Sequence, residues 1–218
     1  MKNRVSLAEI VCWILSIASM LAYIFVFKID ILVFTKAFSI LWLVVLAVRY
    51  AGEKPIRRHR YIILGLAFGV AGDVYLVAPD RMYFVSGALC FLTGHLFYTA
   101  AFYQKKRINP YLALVLAAIG IGVSFIIVDY ILVNRDYVLG ITAIAYIIVI
   151  LVMAYFGIST GIPAIRWGSF LFVLSDALLS YNFFIASVPV LSLVLWIAYC
   201  GAQSLFTLSV RPEASRSA

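Results

Sequence analysis

The chain has 218 residues, 66% of them hydrophobic and 12% charged, against roughly 45–50% apolar and 25% charged in soluble domains; this excludes a water-soluble globular protein. Eight bilayer crossings at about 20 residues each would use most of the length and leave no room for a soluble catalytic or binding domain. The formal charge of +8 sits in short loops and not on a folded basic face, which excludes nucleic-acid recognition as a main function.

Apolar runs of spanning length predict an all-α, polytopic membrane protein with eight transmembrane helices in a single integral membrane domain, residues 1–218. In chain order they are Leu7 to Phe27, Ile31 to Tyr50, Tyr61 to Ala78, Met82 to Tyr103, Tyr111 to Val128, Tyr137 to Phe156, Ile165 to Phe184 and Val190 to Val210. Lys2 and Arg4 ahead of the first run imitate a signal peptide, but no small-x-small cleavage site follows before Lys28, so an uncleaved first helix is expected. Pro55, Pro79, Pro110, Pro163, Pro189 and Pro212 all fall between or just outside these runs, where a missing N–H does no harm. Cys12, Cys90 and Cys200 lie inside apolar runs and imply neither a disulfide framework nor a metal site.

Basic residues fix the expected orientation. Lys2, Arg4, Arg49, Lys54, Arg57, Arg58, Arg60, Lys105, Lys106, Arg107, Arg166, Arg211 and Arg216 fall on one side of the eight runs, and only Lys28, Arg81 and Arg135 on the other. By the positive-inside rule both termini are cytoplasmic, in an integral, multi-pass protein of the cell (inner) membrane. The Arg57, Arg58, His59, Arg60 cluster is expected to set topology and touch anionic headgroups.

Ionisable groups inside a span cost at least about 2.5 kcal/mol each near the centre and mark function by default. Four qualify: Lys36, Asp73, His95 and Asp176. Glu9, Asp80, Asp129 and Asp136 sit at span ends, and Asp30 is expected in a loop. Asp73 and Asp176 share a local pattern, small residue, Asp, two residues, Leu, and each segment leads by a short outer loop into a returning helix. One returning helix carries Gly94, His95 and Tyr98, the other Tyr199 and Gln203. The third and fourth spans thus resemble a degenerate copy of the seventh and eighth, a 4+4 parallel pseudo-repeat. At about 1.5 Å rise per residue both carboxyls would lie roughly 8–12 Å below the outer helix ends, with Lys36 at similar depth and His95 and Gln203 deeper, at about 20 Å. A single cavity floored by His95 and Gln203 is expected. Helix-to-helix glue through Gly65, Gly69, Gly72, Gly87 and Gly94 is the competing use of this region.

Two carboxyls in one dry cavity are expected to hold one proton between them, an acid beside a base. No G-x-S-x-G elbow occurs, and two histidines in the chain cannot make a three-His zinc site; neither a metal nor a cofactor is expected.

Gly72-Asp73 with Leu76, then Phe84-Val85-Ser86-Gly87-Ala88-Leu89-Cys90-Phe91-Leu92-Thr93-Gly94-His95-Leu96-Phe97-Tyr98, then Gly168 through Ser175-Asp176, and the late Tyr199-Cys200-Gly201-Ala202-Gln203 together resemble the YhhN/TMEM86 family of lysoplasmalogenases. Lys36 fits the resemblance; Ala37 stands where the family has Pro. The resemblance implies an eight-helix membrane hydrolase that cleaves the vinyl ether bond of a lysophospholipid, the lysoplasmalogen, drawn from the lipid bilayer. The products are a fatty aldehyde and glycerophosphoethanolamine or glycerophosphocholine. Asp73 and Asp176 would share the general acid and base roles, by the division of labour seen in glycoside cleavage. Lys36 would orient the headgroup phosphate or tune one carboxyl, while His95, Tyr98, Tyr199 and Gln203 would bind water or the glycerol hydroxyl. An intramembrane aspartyl protease would need glycine at position 71, where Ala71 stands. A proton-coupled transporter of a lipid or small amphiphile is the alternative, since paired carboxyls and a Lys also make proton relays.

Overall fold

In the computed structural model, which describes residues 6–25, 29–77, 80–104 and 109–211, every regular element is a helix. Eight are found among these residues: α1 (Leu7–Phe25), α2 (Ile29–Ala51), α3 (Arg57–Tyr75), α4 (Arg81–Phe102), α5 (Pro110–Asn134), α6 (Tyr137–Ser159), α7 (Pro163–Phe184) and α8 (Pro189–Leu208). Lys2, Arg4, Lys28, Pro79, Lys105, Lys106, Arg107, Pro212 and Arg216 lie outside the described residues.

Each boundary has a local cause. Asp80, Asn109 and Asp136 cap α4, α5 and α6, their side chains accepting from Met82 and Tyr83, from Leu112 and from Leu139 N–H groups, which satisfies donors that a helix start leaves open. Pro110, Pro163 and Pro189 occupy the first turn of α5, α7 and α8, where proline is tolerated. Gly52 (φ 65°) follows the end of α2 in the left-handed region, the usual way a helix is stopped. Two expectations shift. Asp30 belongs to the first turn of α2 and not to a loop, and α5 runs on past Val128 to Asn134, taking Asp129 into the helix.

Six of the helices are long and apolar enough to cross a membrane. The two below that measure are α3 and α7, which carry Asp73 and Asp176. Polar residues and glycines dilute their sequences, and both bury those residues inside the bundle: Gly65, Gly69, Gly72 and Asp73 on α3, Gly168, Ser169, Ser175 and Asp176 on α7. Lipid instead meets α1 and α5, whose faces display many exposed apolar side chains.

Packing follows a 4+4 plan. The hairpins α3·α4 and α7·α8 are the most intimate pairs; α1 packs on α2 as α5 does on α6, α2 on α3 as α6 on α7, and α4 on α6 as α8 on α2. Glycine permits the closest of these approaches. A Cβ on Gly72 would stand 2.5 Å from the Phe91 ring of α4, and one on Gly168 2.6 Å from the Phe206 ring of α8.

Candidate active site

Lys36, Asp73, Tyr199, Gln203 and Tyr98 form one continuous chain of polar contacts. The Lys36 ammonium lies 3.3 Å from Asp73 Oδ1 and over the rings of Tyr23 and Trp196, 6.0 and 5.8 Å from their centroids, within reach of cation–π attraction. The Tyr199 hydroxyl donates to Asp73 Oδ2 at 2.8 Å, Gln203 Nε2 donates to the Tyr199 hydroxyl at 3.2 Å, and the Tyr98 hydroxyl donates to Gln203 Oε1 at 2.6 Å. Asp73 is 1% exposed and Gln203 fully buried. The chain fits because α3 is bare where it passes: a Cβ on Gly69 would come within 2.7 Å of Gln203 Nε2 and 3.3 Å of the Tyr199 hydroxyl. Buried polar groups satisfied in this way rigidify a bundle, whereas any one left alone would be costly.

Asp176 has a different set of partners. The Tyr146 hydroxyl donates to Asp176 Oδ2 at 2.7 Å, and His95 Nε2 stands 2.9 Å from that hydroxyl and 3.3 Å from the same carboxyl oxygen. His95 does not lie below Asp176, as helical rise alone predicts, but beside it, its Nε2 3.3 Å from the carboxyl; Asp73 is only two residues from the end of α3 at Tyr75.

Each carboxyl thus takes one partner from the helix that precedes its own, Lys36 of α2 or Tyr146 of α6. The other partner comes from the second helix of the opposite hairpin, Tyr199 of α8 or His95 of α4. Phe172 is edge-on to His95 (centroids 4.7 Å apart) and to Tyr199 (5.5 Å), an apolar ring touching both clusters.

Two cavities adjoin these clusters. One, of about 410 Å³, is lined by Lys36, Asp80, Arg81, Asn182 and Ser192 among its polar groups, with Tyr23, Trp196, Leu76, Phe84 and Leu179. The other, of about 40 Å³, is mainly apolar and is lined by Leu76, Phe84, Ala88, Phe91, Ile127, Leu139, Thr142, Ile147, Leu179, Ser180 and Phe184, with Tyr146 and Asp176 on its wall. Leu76, Phe84 and Leu179 belong to both, so the cavities abut. Asp73 does not line either, nor do Tyr98, Tyr199 or Gln203. The mouth of the larger cavity is braced by Arg81 of α4, whose guanidinium makes a bidentate ion pair with Asp136 at the start of α6 and holds that carboxyl below the usual range.

Tyr146 is the residue that sequence reading passed over. Its signal was its place at mid-span, since tyrosine favours the two membrane interfaces. Among the described residues no three His, Cys, Asp or Glu side chains come together as metal ligands would.

The hydrogen-bond inventory limits what the Asp176 cluster can do. Tyrosine has one proton to donate. With Asp176 ionised, Tyr146 donates to it and His95 Nε2–H donates to Tyr146; with Asp176 protonated, the carboxyl donates to Tyr146 and the phenol donates to a bare Nε2. A concerted shift of protons through Tyr146 exchanges a carboxylate–imidazolium pair for a carboxylic acid beside a neutral imidazole.

The model of the YhhN family matches residues 31–210, a stretch that holds every residue of both clusters. Among curated proteins the chain is 33% identical over 144 residues to lysoplasmalogenase TMEM86B of Homo sapiens, covering 66% of this chain and 60% of that one. It is 32% identical over 145 residues to TMEM86B of Sus scrofa (66% and 61%), and 30% identical over 159 residues to lysoplasmalogenase TMEM86A of Homo sapiens (68% and 64%). The aligned stretch thus spans about three-fifths of the length of these relatives. No solved structure matches the chain.

Proposed function

Because the chain belongs to the YhhN family, we propose that it is a membrane hydrolase that cleaves the vinyl ether bond of a lysoplasmalogen, releasing a fatty aldehyde and glycerophosphoethanolamine or glycerophosphocholine. The names of its relatives support the substrate class. One observation carries the chemistry: a carboxyl joined to a histidine through a tyrosine stands on the wall of an apolar cavity, and that cavity abuts a larger one bearing Lys36 and Arg81. A lysophospholipid is an amphiphile of this shape, its phosphate a few bonds from the ether oxygen.

The headgroup occupies the larger cavity. Its phosphate meets the Lys36 ammonium, which Asp73 and the Tyr23 and Trp196 rings hold at a fixed position; Arg81 adds a second positive charge, and the nearby Asp80 carboxylate suits the headgroup amine. The vinyl ether reaches the Asp176 wall. Protonated Asp176 delivers its proton to the β-carbon of the double bond, and the ether oxygen lends a lone pair to the α-carbon, forming an oxocarbenium ion. Water attacks that carbon while the Asp176 carboxylate takes one of its protons, as an acid turns base in retaining glycosidases. The hemiacetal then collapses, the glycerol oxygen leaves with a proton, and the aldehyde carbonyl forms. Asp176 has by then regained its proton from the attacking water, and His95 and Tyr146 hold its carboxyl against the reacting bond throughout.

Two carboxyls still serve the reaction, with separate duties. Asp176 faces the reacting bond, and Asp73, buried beside Lys36 and Tyr199, is a positioning residue for the ammonium. Tyr199, Gln203 and Tyr98 extend that support inward. By the charge rule the basic loops and both termini face the cytoplasm, so the larger cavity, at the opposite end near Arg81, takes its lipid from the outer leaflet.

The experiment is direct. Purified protein in detergent, without any ion gradient, releases aldehyde from lysoplasmalogen; Asp176→Asn loses at least about a thousandfold in kcat while keeping its melting temperature. No aldehyde from the unaltered protein, together with movement of the intact lipid in sealed vesicles, would replace the hydrolase by a transporter.

A further inference from the structure

We propose that the groove between α5 and α6 is the binding site for the hydrocarbon chain of the lysophospholipid, and that its inner end sets the chain length the protein accepts. This rests on the reading above, in which the reacting bond lies at Asp176. The groove encloses about 630 Å³ and is lined almost wholly by apolar side chains from Ala113 to Val128 of α5 and Ile147 to Tyr155 of α6. It adjoins the small cavity at Ile147, a wall residue of both and the neighbour in sequence of Tyr146, which bonds Asp176.

Direction follows from register. A Cβ on Gly120 would meet Leu151, and one on Gly140 would meet Ile131; the same antiparallel pairing sets Ser124 opposite Ile147. From Ser124 the groove therefore runs away from the headgroup cavity toward Ala113. That distance is eleven residues of helix, about 17 Å at about 1.5 Å per residue. An extended alkyl chain advances slightly less per carbon, so the groove accommodates on the order of a dozen carbons beyond the reacting bond. Its inner end is fixed: the Tyr155 hydroxyl accepts from the Asn109 backbone N–H at 2.8 Å, tying α6 to the start of α5 beside Ala113. Small residues on α5, Ala113, Ala117, Gly120 and Ser124, leave the space. A chain arriving from the bilayer is already in hydrocarbon and gains little from burial itself; the groove acts by alignment, holding the ether bond against Asp176.

A single-chain lysophospholipid with a saturated ether in place of the vinyl ether, and a diazirine at the chain terminus, tests this without turnover. Photolysed with the full-length protein in phosphatidylcholine vesicles, it is expected to label residues 113–121 and 148–155, and excess unlabelled analogue should remove that label. Label spread over lipid-facing α1, or label in the groove that excess analogue leaves in place, would mean bulk lipid only and overturn the proposal. Ala117→Phe supplies the kinetic arm. Position 117 is exposed on α5, so the fold tolerates the change. Seven residues inward of Ser124, about 10 Å, the ring shortens the groove. The rate of cleavage of a sixteen-carbon alkenyl substrate relative to that of an eight-carbon one should fall at least about tenfold. Equal effects on both lengths, or none, would overturn the proposal. Displaceable groove label without aldehyde release would sink the hydrolase reading alone; aldehyde release without groove label would sink the groove alone.

Discussion

Replacing Tyr146 by Phe removes one oxygen and nothing else from the wall of the Asp176 cavity. The hydroxyl makes two contacts, donating to Asp176 Oδ2 at 2.7 Å and lying 2.9 Å from His95 Nε2. Its loss does not isolate the carboxyl, because His95 Nε2 already stands 3.3 Å from the same oxygen. Each lost hydrogen bond contributes about 0.5–1.5 kcal/mol, and both act on the group that delivers the proton. The expected rise in the barrier is therefore about 1–3 kcal/mol, a fall of roughly five- to a hundredfold in kcat. KM should stay within about twofold, since no headgroup or chain contact changes. Stopped assays of aldehyde release across substrate concentration, with circular dichroism and melting temperature as controls on folding, give both constants. A rate equal to that of the unaltered protein would show the phenol to be a bystander. A loss as deep as that of Asp176→Asn would also refute the reasoning, because the direct imidazole–carboxyl contact would then be worthless.

Lys36→Met leaves Asp73, 1% exposed, without its counter-charge and should lower stability by about 3–5 kcal/mol; Lys36→Met with Asp73→Asn should recover the melting temperature but not the KM. Gly69→Ala drives a methyl group into Gln203 Nε2, 2.7 Å away, and should cost about 1–3 kcal/mol as overpacking does, with Gly69→Ala/Gln203→Ala partly restored in the same thermal-melt assay. The Arg81–Asp136 pair has a folded-state carboxyl held below its unfolded value. Its stabilisation is present above the unfolded value, about pH 4, and fades as pH falls through the folded one; Asp136→Asn should therefore differ from the unaltered protein in melting temperature at neutral pH and converge with it in strong acid.

Much of this architecture is written in apolar run length. Eight runs became eight helices with ends displaced by a few residues: α5 continues through Asp129 to Asn134, where Arg135 in the left-handed region ends it and Asp136 caps the start of α6. The choice of Asp73, Asp176, Lys36 and His95 followed from the cost of charge in hydrocarbon, and all four were placed in polar contacts. Which of them meet is a different matter. Helical rise places residues along an axis but says nothing about tilt, so His95 was set below Asp176 although they touch. Nor can spacing show that an aromatic side chain such as Phe172 touches both clusters. Tyr146 was hidden for a third reason: a phenol inside an apolar run carries no charge, and only its partners reveal it.

The crossed pairing of the two carboxyls makes the halves of the chain mutually dependent. Neither the first four helices nor the last four contain a complete set of donors: one half would strand Asp73 without Tyr199, the other Asp176 without His95. A ribosome that has made only α1–α4 has therefore inserted an acidic side chain whose phenol is still unsynthesised. Biogenesis must shelter that intermediate until α8 arrives, and two separately translated halves should find each other in the bilayer for the same reason.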